Sequence, residues 1–197
     1  LPGLRLNEPS WHYNNAINGI SRLLANSKQT IFLGLSYKDD LLLDQLNGLG
    51  MKSIKASKYL FDNDVTIESQ EQHFAEIISE VNSSPRYSDV CYILNRSIEH
   101  ISSKHILERL LTPLNLNFLY IEMSKFSISN ISDYCIWNER TAYYSPLHLQ
   151  KILRNYGFEL VDIEYFGLST DFFYTLWERK NCQSKLLLQD QYLESFN

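Results

Sequence analysis

Short apolar runs alternate with amphipathic stretches along most of this chain. Thr30 to Ser36 (Thr-Ile-Phe-Leu-Gly-Leu-Ser) is nearly continuous in apolar residues, as in a strand buried on both faces, and Leu41 to Gly50 follows as a helix with glycine at its end. Met51 to Ile54 reads as a second short strand, and Lys55 to Asp64 as an irregular polar connection. Gln70 to Val81 brings Phe74, Ile77, Ile78 and Val81 onto one helical face. Asn82 to Pro85 is a loop by composition, and Val90 to Leu94, with Asp89 just ahead of it, is another buried strand. Ile101 to Leu111 has the spacing of a helix through Ile106, Leu107, Leu110 and Leu111, Pro113 helps to stop it, and Phe118 to Glu122 is again strand. Ahead of all this, Ile17, Ile20, Leu23 and Leu24 recur at helical spacing within Trp11 to Leu24, with Ser10 as the cap.

The clearest helix comes later. Ser145 can accept from a free backbone N–H of the first turn, and Pro146 sits where no N–H is needed. Leu149, Ile152, Leu153 and Tyr156 then make one apolar face, and Gly157 supplies the left-handed residue that ends the helix. Leu160 to Phe166 and Phe172 to Trp177 are two strand-like runs joined by Gly-Leu-Ser-Thr-Asp, spaced for an antiparallel hairpin. Alternating strands and helices imply an α/β fold: a mostly parallel sheet covered on both faces, with a C-terminal antiparallel hairpin at or near one edge. One domain over 1–180 is expected, followed by a helical tail over 181–197. That tail carries Leu186, Leu187, Leu188, Tyr192 and Leu193 for docking on its own domain, on a second copy or on a partner domain.

Composition narrows the function classes. The 197 residues are 44% hydrophobic, enough for a substantial core in one domain. A net charge of −5 with scattered Lys and Arg offers no basic field for a phosphate backbone, so no nucleic acid partner is expected. No apolar run approaches the roughly 20 residues needed to cross a bilayer, and Leu-Pro-Gly-Leu-Arg-Leu-Asn-Glu is not a signal peptide, so a cytoplasmic protein is expected. Cys91, Cys135 and Cys182 are odd in number and far apart, and the five histidines form no His-x-x-x-His pair. Neither a structural metal nor a disulfide framework is expected. A start at Leu1 and a fresh helical pattern at the end are what a fragment or module of a longer polypeptide would show.

Candidate chemistry concentrates before the capped helix. Trp137, Asn138, Glu139 and Arg140 crowd an indole, a carboxylate and a guanidinium into four residues, followed by Tyr143 and Tyr144. Loops at strand ends of an α/β scaffold carry binding and catalytic groups, although a Glu-Arg pair beside aromatic residues is as often a solvated loop. Glu99 and His100 are placed at a helix start beyond the strand that ends near Leu94, in the crevice where open α/β sheets bind ligands. A half-buried His satisfied by the backbone is the alternative for His100, while His12, in Ser10-Trp11-His12-Tyr13, could close over that crevice from the leading helix, with surface aromatic packing as its alternative.

Several segments in order resemble the class I S-adenosylmethionine (SAM)-dependent methyltransferases, particularly the branch acting on sugars and other small metabolites. They are Asn95-Arg96-Ser97-Ile98-Glu99-His100-Ile101 after a strand, Leu119-Tyr120-Ile121-Glu122-Met123 as the next strand, and the pattern Trp137-x-Glu139-x-x-x-Tyr143-Tyr144-Ser145-Pro146, then Gly157-Phe158 before a strand. The resemblance implies a Rossmann-like three-layer sandwich, SAM as cofactor and a small-molecule substrate, most plausibly a sugar or nucleotide sugar. It implies Gly34, Ser36, Asn95, Arg96 and Glu99 at the cofactor, and Glu139, Arg140, Tyr143 and His100 at the chemistry. Glu139 is the candidate general base, since Trp137 and Tyr143 could desolvate it and raise its pKa, whereas Arg140 could hold it ionised.

The departures from that family fall on cofactor contacts. Members carry an Asp/Glu-x-Gly-x-Gly-x-Gly loop after the first strand, because glycine lets the backbone approach the cofactor's amino acid moiety. Here the loop reads Leu33-Gly34-Leu35-Ser36-Tyr37-Lys38-Asp39-Asp40, and Ile54 is followed by Lys55 where an acid would hold the ribose. Sugar C-methyltransferases read Tyr-His-Glu-His where this chain has Trp137, Asn138, Glu139 and Arg140, which allows Arg140 to serve as an anion clamp. Two expectations follow: a methyltransferase with substituted cofactor contacts, or a silent methyltransferase fold kept as a binding or scaffolding module of a larger glycan or metabolite assembly protein. The Gly34 to Asp40 loop also resembles the nucleotide-binding third domain of UDP-glucose and GDP-mannose dehydrogenases, over less than a quarter of the chain.

Overall fold

The apolar runs form strands whose two faces are both covered. The computed structural model describes residues 17–21, 30–55, 67–82, 89–101, 104–113, 116–124, 144–166 and 172–180. A helical stretch over 17–21 (α1) precedes β1 (Thr30–Gly34), a 3-10 turn (Tyr37–Asp39), α2 (Asp40–Gly48) and β2 (Ser53–Lys55). Then come α3 (Ile67–Asn82), β3 (Asp89–Asn95), a second 3-10 turn (Ile98–His100) and α4 (Lys104–Leu111). Strand β4 (Leu116–Ser124), α5 (Pro146–Arg154), β5 (Phe158–Phe166) and β6 (Phe172–Arg179) complete the described elements.

The sheet runs β2-β1-β3-β4-β6-β5. Strands β2, β1, β3 and β4 are mutually parallel, and β6 is antiparallel to both β4 and β5. The expected hairpin is therefore present, with β5 at the edge and β6 filling the slot between β5 and β4. Helices divide between the faces. Ile20 of α1 and Leu42, Leu43 and Leu46 of α2 pack with Phe32, Ile93, Phe118, Tyr120, Tyr174 and Leu176. Phe74 and Ile77 of α3, four α4 residues and Leu149 and Leu153 of α5 cover Leu33, Tyr92, Leu94, Leu119, Ile121 and Trp177 on the other face. This is the expected three-layer α/β sandwich. Among the described residues no helix is long and apolar enough to cross a membrane.

Two boundaries differ from the periodicity for a physical reason. The expected helix over 101–111 is split: Ile101 adopts an extended backbone (φ −71°, ψ 110°), so Glu99 and His100 belong to a separate 3-10 turn and the α-helix starts at Lys104. The second strand begins at Ser53 rather than Met51, because Gly50 turns with φ 81° and Met51 N–H still donates to Leu46 O at 3.0 Å. The capped helix is as expected: Ser145 Oγ accepts from His148 N at 3.2 Å, Pro146 opens the helix, and Gly157 has φ 81°.

Candidate functional site

The C-terminal ends of β1, β3 and β4 meet at the point where chain direction switches, β1 leading outward to β2 and β3 leading back to the other side. Open α/β sheets leave a ligand crevice at such a point. The loop leaving β1 turns sharply at Leu35 and Ser36, and Asp39 N–H donates to Ser36 O at 2.9 Å. This directs the Asp39 side chain back under its own loop. Asp39 is fully buried, its Oδ2 accepts from Leu35 N at 2.9 Å and from Ser36 N at 2.8 Å, and its Oδ1 accepts from Asn95 N at 2.9 Å. One carboxylate thus ties the β1 loop to the end of β3. Burial pushes its pKa from 3.8 up to about 8, against the three backbone donors, which favour the ionised form.

Gly34 has a specific packing reason. A Cβ there would lie 2.6 Å from Leu43 Cδ1 and 2.8 Å from Asp39 Cβ. The missing side chain makes room for Asp39 and α2.

The next residues along β3 build a second unit. Arg96 has φ 52°, a left-handed conformation uncommon for a side-chain-bearing residue. Glu122 on β4 holds it there twice: Arg96 N–H donates to Glu122 O at 2.8 Å and Arg96 Nε donates to Glu122 Oε1 at 2.9 Å. The Glu122 side chain is fully buried and that of Arg96 is 15% exposed. Tyr120 OH donates to Glu122 Oε2 at 3.1 Å, and the guanidinium stands 4.8 Å from the centre of the Phe172 ring. Asn95, Glu122, Tyr174 and Glu164 lie opposite one another across β3, β4, β6 and β5, so a polar row crosses one face of the sheet. Tyr174 OH donates to Glu164 Oε2 at 2.7 Å, and the Tyr120 and Tyr174 rings stack at 5.7 Å.

Of the sequence-predicted residues, Gly34, Ser36 and Asn95 converge on Asp39, and Arg96 adjoins them through β3. Glu99 is buried and His100 half-buried in the following 3-10 turn. Glu139, Arg140 and Tyr143, with Trp137 and His12, lie outside the described residues. Asp39 and Glu122 were missed. The period-two signal that put Tyr120 and Glu122 on one strand face was present in the sequence, whereas the inward turn of Asp39 had no local signal. Cys91 is a buried free thiol, and burial pushes its pKa above the ordinary range.

These residues do not fit SAM held as the resemblance implies. The loop donors that would face an amino acid carboxylate are already bonded to Asp39, and the space beside Gly34 holds Asp39 and Leu43. At the end of β2, where an acid would take the ribose hydroxyls, Lys55 Nζ donates to Asp44 Oδ2 at 3.0 Å and lies 3.8 Å from Asp40.

No family model and no curated protein matches the chain. Solved structures do. A SAM-dependent methyltransferase from Archaeoglobus fulgidus superposes with a TM-score of 0.55 at 15% identity, covering 84% of this chain and 94% of that one. The magnesium protoporphyrin IX methyltransferase of Synechocystis PCC 6803 with bound S-adenosylhomocysteine (SAH) gives 0.51 at 11%, covering 86% and 84%. At these identities the likeness concerns architecture, and the chain has the Rossmann-like fold of the class I SAM-dependent methyltransferases.

Proposed function

We propose that this chain is a catalytically silent methyltransferase fold that serves as a binding module for a small polar metabolite within a larger glycan or metabolite assembly protein. The observation that carries this reading is the Asp39 carboxylate on Leu35, Ser36 and Asn95 N–H. A cofactor entering the loop through its own carboxylate would have to expel Asp39, leave that carboxyl buried without its donors, and meet Lys55 at the ribose position. A buried carboxyl left without its hydrogen-bond partners costs about 1–3 kcal/mol, which would come out of the about 8 kcal/mol that a micromolar ligand supplies. Metabolite binding falls to the crevice beyond β3 and β4, where Arg96 is fixed by Glu122 and followed in the chain by the 3-10 turn carrying Glu99 and His100. The tail over 181–197 is the segment for docking on its own domain, on a second copy or on a partner domain.

Calorimetric titration with SAH tests this without knowledge of an acceptor. No heat of binding is expected at millimolar SAH. Micromolar binding that weakens on replacing Ser36 by a bulky residue overturns the reading. In the same instrument, a panel of sugars and nucleotide sugars should yield a ligand whose binding is lost in Arg96→Met.

The second reading is an active methyltransferase for a sugar or nucleotide sugar, with Glu139 as base and Arg140, Tyr143 and His100 around the acceptor. The placement of Arg96, Glu99 and His100 in the segment just after β3 favours it. Micromolar SAH binding by the wild-type chain would select it.

A further inference from the structure

We propose that the β1 loop is a carboxylate receptor whose resident ligand is the chain's own Asp39, and that Asp39 is the residue that closes this receptor to free carboxylates. Three backbone donors converge on one planar group, two on Oδ2 and the third on Oδ1 from a strand 56 residues away. That division suits a bidentate carboxylate. The donors belong to a sharp turn just beyond β1 and to the last residue of β3, next to the paired strand segments that end at Gly34 and Ile93. Asp39 stands on the first turn leading into α2, yet its side chain makes no cap bond to that helix. Its oxygens serve the loop and the end of β3 instead.

The receptor is also small. Gly34 and Leu43 border the space that Asp39 fills, since a Cβ on Gly34 would stand 2.8 Å from Asp39 Cβ and 2.6 Å from Leu43 Cδ1, and the group removed by shortening Asp39 is at most CH2–COO. The ligand class is therefore a short monocarboxylate, formate or acetate, rather than phosphate or a longer acid. Shortening Asp39 should open the site without moving its walls, since the backbone at this position (φ −85°, ψ −19°) is open to any residue. Asp39→Ala removes one carboxyl and leaves a space matched to formate; Asp39→Gly removes the methylene as well and leaves a space matched to acetate.

The inference does not depend on whether the outer crevice binds a metabolite. Its test is thermal unfolding of the full chain as wild type, Asp39→Ala and Asp39→Gly in formate, acetate, chloride or sulfate at equal ionic strength. Both variants should melt below wild type. Formate should raise Asp39→Ala, and acetate Asp39→Gly, by about 3 °C over chloride, the shift expected when ligand stands near ten times its dissociation constant. Wild type should show no difference between the anions. Equal melting in formate and chloride, or rescue by sulfate as large as by formate, would overturn the receptor. If both variants fail to fold in chloride, recovery of folded protein in formate or acetate supports the proposal and its absence overturns it. Asp39→Asn adds a second readout: amide exchange at Leu35, Ser36 and Asn95 should accelerate, whereas unchanged protection would mean that Asp39 only fills space. SAH binding by wild type that leaves exchange at Leu35, Ser36 and Asn95 unchanged would overturn the silent reading alone, whereas SAH binding that alters exchange at these amides would overturn the closure by Asp39 as well, so the two failures are distinguishable.

Discussion

At the scale of single residues, Asp39 sets a pH dependence whose sign can be worked out. Burial raises its folded-state pKa from 3.8 to about 8, outweighing the three backbone donors, with the neighbouring Asp40 adding to the rise. A carboxyl that binds its proton more tightly when folded stabilises the fold fully below about pH 4. That contribution is lost as pH climbs from about 4 to about 8, and is flat above. Urea unfolding across this window should show Asp39→Asn with a shallower fall in stability than wild type, because the amide has no proton to lose. Parallel curves would mean that Asp39 titrates near its ordinary value, with the hydrogen bonds prevailing over burial. Glu122 offers a contrast. Its carboxylate is equally buried but faces the Arg96 guanidinium, whose removal would strand a charge in the interior. Both acids were in plain view in the sequence; only their partners, set by strand register, explain why they are tolerated inside.

At the scale of elements, local and long-range determinants separate cleanly, and so does what a sequence reveals of them. The start of α5 is local: Ser145, Pro146 and the Ser145 Oγ to His148 N bond lie within four residues, and this helix was legible from end to end. The end of α4 is secured from far away. Arg179, the last residue of β6, donates through Nη1 to Pro113 O at 2.7 Å and through Nη2 to Leu111 O, while its guanidinium lies 4.4 Å from the centre of the Phe158 ring. Burial lowers its pKa to about 10, still charged at neutral pH. Nothing near Arg179 in sequence announces this, because its partners lie 66 and 68 residues away. The same holds for the candidate site. Gly34, Ser36 and Asn95 were chosen by resemblance, and they do converge, but on a side chain of the chain itself. The expected costs differ accordingly: Ser145→Ala about 1 kcal/mol, from one exposed cap, and Arg179→Met about 2–3 kcal/mol, from two charge-assisted bonds to carbonyls that are left under-satisfied. Thermal denaturation of both variants checks this. Equal melting points would mean that the long-range clamp holds no more than a helix cap.

At the scale of the whole molecule, the sheet order determines how rigid the site is. Strands β3, β4 and β6 are hydrogen-bonded on both sides and nearly all buried, whereas β2 and β5 each have one neighbour, and Val161 and Tyr165 on β5 stand exposed. Asn95 and Glu122, at the ends of β3 and β4, therefore belong to the part of the fold that opens last. Amide hydrogen exchange should find Ile93, Leu119 and Ile121 slowest, opening only with global unfolding, and the amides of β2 and β5 faster by orders of magnitude. If β5 were as protected as β3, the edge would be covered by something, and the segment over 181–197 or a second copy would be the place to look. The same measurement bears on function. A ligand that places its carboxylate in the β1 loop must break the Asn95 N–H to Asp39 bond, and that break is visible as altered exchange at Leu35, Ser36 and Asn95 together. Millimolar SAH should leave all three unchanged in wild type. A coordinated change at these amides with saturable SAH dependence would instead show Asp39 giving way to the cofactor, and would move this chain from silent fold to enzyme.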